Sequence, residues 1–240
     1  MKHFLFVIFG LLLLNSCKKE IDPQPVLDKN RIELKYDHDY QLVISKGENL
    51  VQASSYQWTS SDANVASVSA NGKISARKVG KTTITAIADG QELVAEITVT
   101  PYVSFFQEPQ LEFTSDKATI MSSALGNLVY NQNNIYVYSG ISDKISRIMY
   151  IFDDNNMILS MAIDFVDDEQ TRKDVTTFYA ERYPITTLTD KNETIYINDE
   201  KNKAVWLTAN ESLGFYVSYG KVTIVNGRMS AVPNYFDQKM

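Results

Sequence analysis

Among 240 residues there are one cysteine, two histidines, six prolines and ten glycines. With Cys17 alone, no disulfide can form within the chain, so stability has to come from core burial. One histidine, His3, sits in the N-terminal segment, which leaves His38 as the only imidazole in the body of the sequence. Zinc sites need several His or Cys ligands at short spacing, and the sequence has no such cluster. A serine hydrolase needs a base beside its nucleophile. The only histidine on offer lies in Tyr36-Asp37-His38-Asp39, which has the character of a solvated turn. The glycines are scattered, and no phosphate-cradling loop is present. No apolar run reaches the roughly 20 residues of a membrane-spanning helix. Acidic residues exceed basic ones, 29 to 23, and the net charge of −6 is opposite to a nucleic-acid footprint. No cofactor, metal or nucleic-acid partner is expected.

What the N-terminus does have is a short basic-then-apolar leader. Lys2 precedes the apolar stretch Phe4 to Leu14, followed by Asn15, Ser16 and Cys17. A basic start, an apolar core and small residues before a cut are the parts of a secretory signal. With Leu14, Ser16 and Cys17 in place, the segment resembles a bacterial lipoprotein signal ending in a lipobox. Asn15 departs from the small or apolar residue usual there. The resemblance implies a signal peptide over residues 1–16 and a mature chain beginning at Cys17, with lipid on that cysteine. Several acyl chains on one residue would anchor it without a transmembrane helix. Membrane contact would run through that lipid, at the outer membrane, on either its periplasmic or its cell-surface face. Residues 17–26 form a tether stiffened by Pro23 and Pro25, reaching at most about 30 Å.

Residues 27–101 have the pattern of short strands and turns: Arg31 to Leu34, Tyr40 to Ile44, Ser55 to Thr59, Val65 to Val68, Lys73 to Ala76, Thr82 to Ile87 and Glu92 to Val99. Asn71-Gly72 and Asp89-Gly90 are two-residue hairpin signals, because both positions of such turns need positive φ. About seven strands at this spacing predict an immunoglobulin-like sandwich. Trp58-Thr59-Ser60-Ser61-Asp62, Val65-Ala66-Ser67-Val68, Asn71-Gly72-Lys73-Ile74 and Gly80-Lys81-Thr82-Thr83-Ile84-Thr85-Ala86 follow in order. Together they resemble a group 2 bacterial immunoglobulin-like domain. The resemblance implies that Trp58 lies between the sheets, that Ser60 to Asp62 turn the chain, and that the module is a spacer or binding unit without catalytic residues.

Residues 102–240 change pattern. Ser115 and Asp116 open an amphipathic run with Ile120, Met121, Ala124 and Leu125, which Gly126 can stop. Strands are expected at Ile135 to Ser139, Arg147 to Phe152 and Met157 to Val166, with Asp153 to Asn156 as a turn. Asp167 or Asp168 then caps a helix ended by Pro184. Strands Thr194 to Ile197, Ala204 to Thr208 and Gly214 to Tyr219 follow, with Lys221 to Val225 as a final edge strand and an irregular tail. Asn134-Ile135-Tyr136-Val137-Tyr138 aligns with Thr194-Ile195-Tyr196-Ile197-Asn198. This order predicts a mostly β protein: an Ig-like β-sandwich, then an α+β domain with a tandem helix–three-strand repeat on one antiparallel sheet. The layout resembles the tandem helix-and-sheet modules of small secreted bacterial proteins such as the β-lactamase inhibitor protein, in topology only.

Strand alternation assigns sides. Ile135, Val137, Ile195, Ile197, Val205 and Leu207 are expected under the helices. Tyr136, Tyr138, Tyr150, Phe152, Tyr196, Trp206 and Tyr216 are expected on the other side. There they would form a binding face for a protein or glycan, tyrosine and tryptophan being enriched in interface cores, or would pack against another part of the chain. Asp164, Asp167, Asp168, Glu169, Asp153 and Asp154 are the clustered carboxylates. Paired acids can hydrolyse glycosides, but helix capping and turn formation account for them more simply. The sequence therefore points to a non-enzymatic, lipid-anchored envelope protein whose Ig-like stalk presents a C-terminal binding domain. An inhibitor or accessory subunit docking on an envelope enzyme or transporter is the alternative, and a carboxylate-dependent glycosidase the second alternative.

Overall fold

The computed structural model describes residues 22–109, 111–188, 194–210, 214–225 and 228–231. The expected signal segment, Cys17 and most of the expected irregular tail lie outside them.

The first module is built from ten short strands: β1 Pro25–Leu27, β2 Arg31–Lys35, β3 Asp39–Gln41, β4 Ile44–Lys46, β5 Asn49–Val51, β6 Gln57–Ser60, β7 Ala66–Val68, β8 Lys73–Ala76, β9 Gly80–Ala88 and β10 Gln91–Thr100. They form sheets of order β2-β10-β9-β6, β3-β8-β7 and β1-β4-β5. Period-two alternation puts Ile32, Leu34, Ile84 and Ile97 on the inner side with Leu42, Val65 and Ile74. The expected strand Tyr40 to Ile44 is split into β3 and β4. Asp28 is the reason: its carboxylate accepts from the Tyr40 hydroxyl (2.5 Å) and the Val43 N–H (2.9 Å), while the Leu42 N–H turns to the Gly72 carbonyl (3.0 Å). The Asp28 bond pushes the Tyr40 phenol up to about 12. Trp58 is half-buried against the core, with its indole N–H donating to the Ala53 carbonyl (2.8 Å). Ser60 and Ser61 hydroxyls pair with the Thr82 hydroxyl, and the Asp62 carboxylate accepts from the Asn64 N–H, which reverses the chain as expected.

The two hairpin signals resolve differently. Asp89 and Gly90 both have positive φ, and Ala88 pairs with Gln91, so this is the two-residue turn expected. At the other, Gly72 (φ +75) is positive but Asn71 is not, and Ser69 bonds Lys73. The loop is thus one residue longer, a type I turn closed by a left-handed glycine. A Cβ on Gly72 would stand 2.8 Å from the Trp58 ring. Gly72→Ala is expected to cost about 2 kcal/mol, from backbone strain plus the ring displacement. Urea unfolding followed by tryptophan fluorescence measures it, and an unchanged midpoint would refute the packing.

The second module contains α1 Lys117–Ser122, β11 Leu128–Gln132, β12 Ile135–Ser142, β13 Ile145–Phe152, β14 Ile158–Phe165, α2 Glu169–Ala180, β15 Ile185–Leu188, β16 Thr194–Ile197, β17 Lys203–Asn210, β18 Gly214–Val225 and β19 Arg228–Ala231. Asp116, one residue after Ser115, caps α1 by accepting from the Thr119 N–H (2.8 Å). Asp168 caps α2 through the Thr171 N–H and hydroxyl (2.8 and 2.7 Å), bonds that hold its carboxyl below the usual range. The sheet order is β11-β12-β13-β14-β18-β17-β16-β15, antiparallel throughout, with β19 on β18. The repeat is present, but each unit is a helix followed by four strands, and the units meet at the β14–β18 pair. β11, β15 and β19 are the strands the pattern misses, the last falling where an irregular tail is expected. Lys221 to Val225 is not a separate edge strand but the far half of β18.

The sides of this sheet run opposite to the expectation for five of the seven aromatics. The helix side buries Tyr150, Phe152 and Tyr196 with Ile148, Met161, Phe165, Phe215, Val217 and Tyr219 against Val175, Phe178 and Tyr179 of α2. Tyr136 and Tyr138 pack on the same cluster. The helix-free side holds Met149, Ile151, Ala162 and Tyr216, packed with Ile135 and Val137, and Ile195, Ile197, Ala204 and Trp206. Register carries the assignment: Tyr136 faces Tyr150, which faces Met161, which faces Tyr219, which faces Val205 and then Tyr196. The physical reason is size. Short helices set over a broad sheet leave depth that aromatic rings fill alongside Ile148, Ile163 and Val217. The seven residues therefore share no face. Tyr150, Phe152, Tyr196, Trp206 and Tyr216 are buried, and Tyr136 and Tyr138 half-buried.

Candidate functional site

With five of the seven aromatics buried and Tyr136 and Tyr138 half-buried, the most elaborate polar arrangement lies where the two modules meet. The end of α2 places Glu181 there with its side chain fully buried. Its carboxylate accepts the Tyr102 N–H (2.8 Å), the Val103 N–H (3.2 Å) and the Arg182 guanidinium (2.6 Å). Its carbonyl accepts the Val79 N–H of the first module (2.7 Å). Arg182 also donates to the Val103 carbonyl (2.9 Å) and the Phe178 carbonyl (3.0 Å), and lies 3.7 Å over the Phe178 ring. Around this centre, Lys78 pairs with Asp199, and Asn64 donates to the same carboxylate (3.1 Å). Lys35 reaches the Pro101 carbonyl (2.7 Å). The Tyr102 hydroxyl meets Asp37 (3.2 Å) and His38 (3.0 Å), so the lone histidine belongs to this joint. A buried, multiply bonded charge fixes orientation, since bending the joint would strip its partners.

Glu181 and Arg182 escape a reading based on strand faces. A signal existed nonetheless: an acidic residue at the C-terminal end of a helix opposes the helix dipole, which calls for a compensating partner.

A second feature is an apolar cavity of about 190 Å³ lined by Phe106, Pro109 and Leu111 and walled by α1 and the sheet. Ile148, Tyr150 and Met161 form its floor, Ile120 one side. Leu125 and Ile141, both well exposed, mark its rim. A third is the edge strand β11, exposed along all five residues, where Leu128, Val129 and Tyr130 present apolar surface to solvent. It terminates the sheet order, so its outer backbone groups face no neighbouring strand of that sheet.

The clustered carboxylates are engaged structurally. Asp168 caps α2, Asp167 pairs with Arg172, and Asp153 accepts the Asn155 and Met157 N–H groups in its turn. Asp164 lies buried on β14, 2.5 Å from Arg147. Among the described residues no three His, Cys, Asp or Glu side chains converge as metal ligands, and no helix is long and apolar enough to cross a membrane. Desolvation of Asp164 outweighs Arg147 and raises its pKa. A raised native carboxyl favours folding at acid pH, and that contribution is lost as pH rises from the ordinary carboxylate range through the native value. Asp164→Asn is therefore expected to match or exceed the wild type in stability at pH 7, the gain shrinking towards acid pH. Urea midpoints across that range test this, and a large loss at pH 7 would contradict it.

No curated protein sequence matches the chain. Solved structures of the S-layer protein SbsC align with much of it. The rSbsC(31-844) structure shares 13% identity over 89% of this chain, with a TM-score of 0.29, and the structure of SbsC domains 1–6 shares 14% over 89%, with 0.28. The chain spans about a quarter of each, 25% and 26%. SbsC domains 5–6 share 15% identity over 87% of this chain and 97% of theirs, with a TM-score of 0.27. Within the chain, residues 25–99 match the family model of the bacterial Ig-like domain, group 2.

Proposed function

We propose that this chain is a non-catalytic cell-envelope protein, anchored through lipid on Cys17, in which the Ig-like module carries the C-terminal sheet domain away from the bilayer to bind a protein or glycan. The observation that supports this best is the Glu181 joint. A stalk is useful only if the head it carries keeps its orientation, and here the Glu181 carbonyl takes the Val79 N–H of the first module while its carboxylate holds the Tyr102–Val103 segment that leads out of that module. The match of residues 25–99 to a bacterial Ig-like domain accords with a spacer placed next to the anchor. Mass spectrometry of the mature N-terminal peptide tests the anchoring: an acylated Cys17 is expected, and Cys17→Ser should move the protein from membrane to soluble fractions. An unacylated, freely diffusing wild type would refute the proposal. Carbohydrate and protein pull-downs then separate the two ligand classes.

The alternative, an inhibitor or accessory subunit docked on an envelope enzyme or transporter, draws on β11. An open, uncharged edge strand invites strand addition by a partner chain. Val129→Lys should abolish capture of such a partner while leaving the fold intact; undiminished capture would remove β11 from consideration. A glycosidase is tested directly: no turnover on a glycan panel, or turnover retained in Asp164→Asn and Asp168→Asn, would discard it.

A further inference from the structure

We infer that the cavity lined by Phe106, Glu108, Leu111 and the sheet is a binding site for a small neutral molecule, one aromatic ring or a short alkyl body bearing a single hydrogen-bond acceptor. Size sets the class. About 190 Å³ slightly exceeds the roughly 150 Å³ apolar cavity known to stay dry and take up benzene. Protein interiors are otherwise packed to crystal density, and an unfilled apolar void destabilises in proportion to its volume. A space of this size with a solvent-facing rim at Leu125 and Ile141 is thus suited to an occupant that can enter and leave.

Polarity sets the rest. The wall is apolar apart from Gln107, Glu108, Ser123 and the Tyr150 hydroxyl, and it contains no cation. Ser123 bonds the Ile120 carbonyl (3.1 Å), and Glu108 is taken up by the Tyr183 hydroxyl and by Lys203 (3.2 Å). Tyr150 is different. It is 5% exposed and lines the cavity without being committed to a charged neighbour. Burial, with Tyr138 alongside, lifts its phenol to about 12, so it remains a neutral donor at physiological pH. A ligand acceptor can take this donor in place of water. The lining offers an anionic ligand no cation of its own, and nearby Lys203 is already paired with Glu108.

The test uses the full chain carrying Cys17→Ser, with phenol, toluene and benzoate as probes and isoleucine and leucine methyl resonances as the readout. Phenol and toluene are expected to shift the methyl signals of Ile148, Ile141 and Leu125 with millimolar or tighter affinity, and benzoate to bind at least tenfold more weakly than phenol. Ile141→Trp, at the exposed rim, should abolish both sets of shifts without unfolding the protein. Tyr150→Phe should weaken phenol about fivefold and leave toluene unchanged. Absence of shifts up to the solubility of the neutral probes would overturn the proposal, as would shifts that survive Ile141→Trp. Equal binding of benzoate and phenol, or equal effects of Tyr150→Phe on phenol and toluene, would overturn the assigned chemistry.

Discussion

Glu181→Ala is expected to lose about 3–5 kcal/mol of stability and to separate the unfolding of the two modules. Truncating one member of a buried charge pair is costly because the remaining members stay buried. Here the Tyr102 and Val103 N–H groups would lose their acceptor, and Arg182 its counter-charge. Each orphaned donor costs about 1–3 kcal/mol. Glu181→Gln keeps an acceptor and loses the charge, so its loss should be intermediate. The molecule carries its own reporters: Trp58 lies in the first module and Trp206 in the second. Urea unfolding followed by fluorescence in Trp58→Phe and Trp206→Phe backgrounds reads each module separately. The two transitions should coincide in wild type and part in Glu181→Ala. Coincident, unshifted transitions in the variant would show that the joint neither stabilises nor couples the modules, and would take away the main support for a rigid stalk.

That joint shows what a linear pattern can and cannot carry. Alternating Ile32 and Leu34, the Asp89-Gly90 turn and the Asp168 cap are local, set by neighbours in sequence, and each occurs where residue spacing puts it. The Ig-like module was therefore legible in outline. β11 was missed although Asn133 and Asn134, both at positive φ, make a two-residue turn into β12; its Leu128-Val129-Tyr130 run lacks the inside-outside alternation that marks a half-buried strand, because every residue is exposed. β15 is short, and its Thr186 and Thr187 blur the pattern. The sheet sides were misassigned for a different reason. Alternation establishes that Tyr136 and Val137 face opposite ways, but not which way is covered. That depends on the depth between α2 and the sheet, a tertiary quantity. Strand parity also failed to unite Trp206 with Tyr196, since both can be aromatic while pairing out of phase. Glu181 was invisible because its partners, Val79, Tyr102 and Val103, are about 80 to 100 residues away in sequence.

Phe178→Ala should be comparably damaging, by about 3–5 kcal/mol, through lost packing and the void left behind. Phe178 is 2% exposed on the inner side of α2. It stacks on Phe106 at 4.2 Å, meets Tyr179 edge-on at 5.2 Å and lies under the Arg182 guanidinium. Phe106 and its neighbour Phe105 in turn pack on Phe165 of β14, at 5.6 and 6.1 Å. The ring thus joins three elements: helix, sheet and the segment leading out of the first module. Phe178→Leu retains apolar volume but not the stacked face or the cation–π contact, interactions worth about 0.5–1.5 kcal/mol each, and should lie between wild type and alanine. Limited proteolysis distinguishes loss of the joint from loss of the whole core. If the aromatic stack pins the segment, Phe178→Ala should become cleavable around Phe105 and Phe106 at urea concentrations where the Trp206 signal is still native. Cleavage appearing only together with loss of that signal would mean that the ring serves the general core and gives the segment no separate hold.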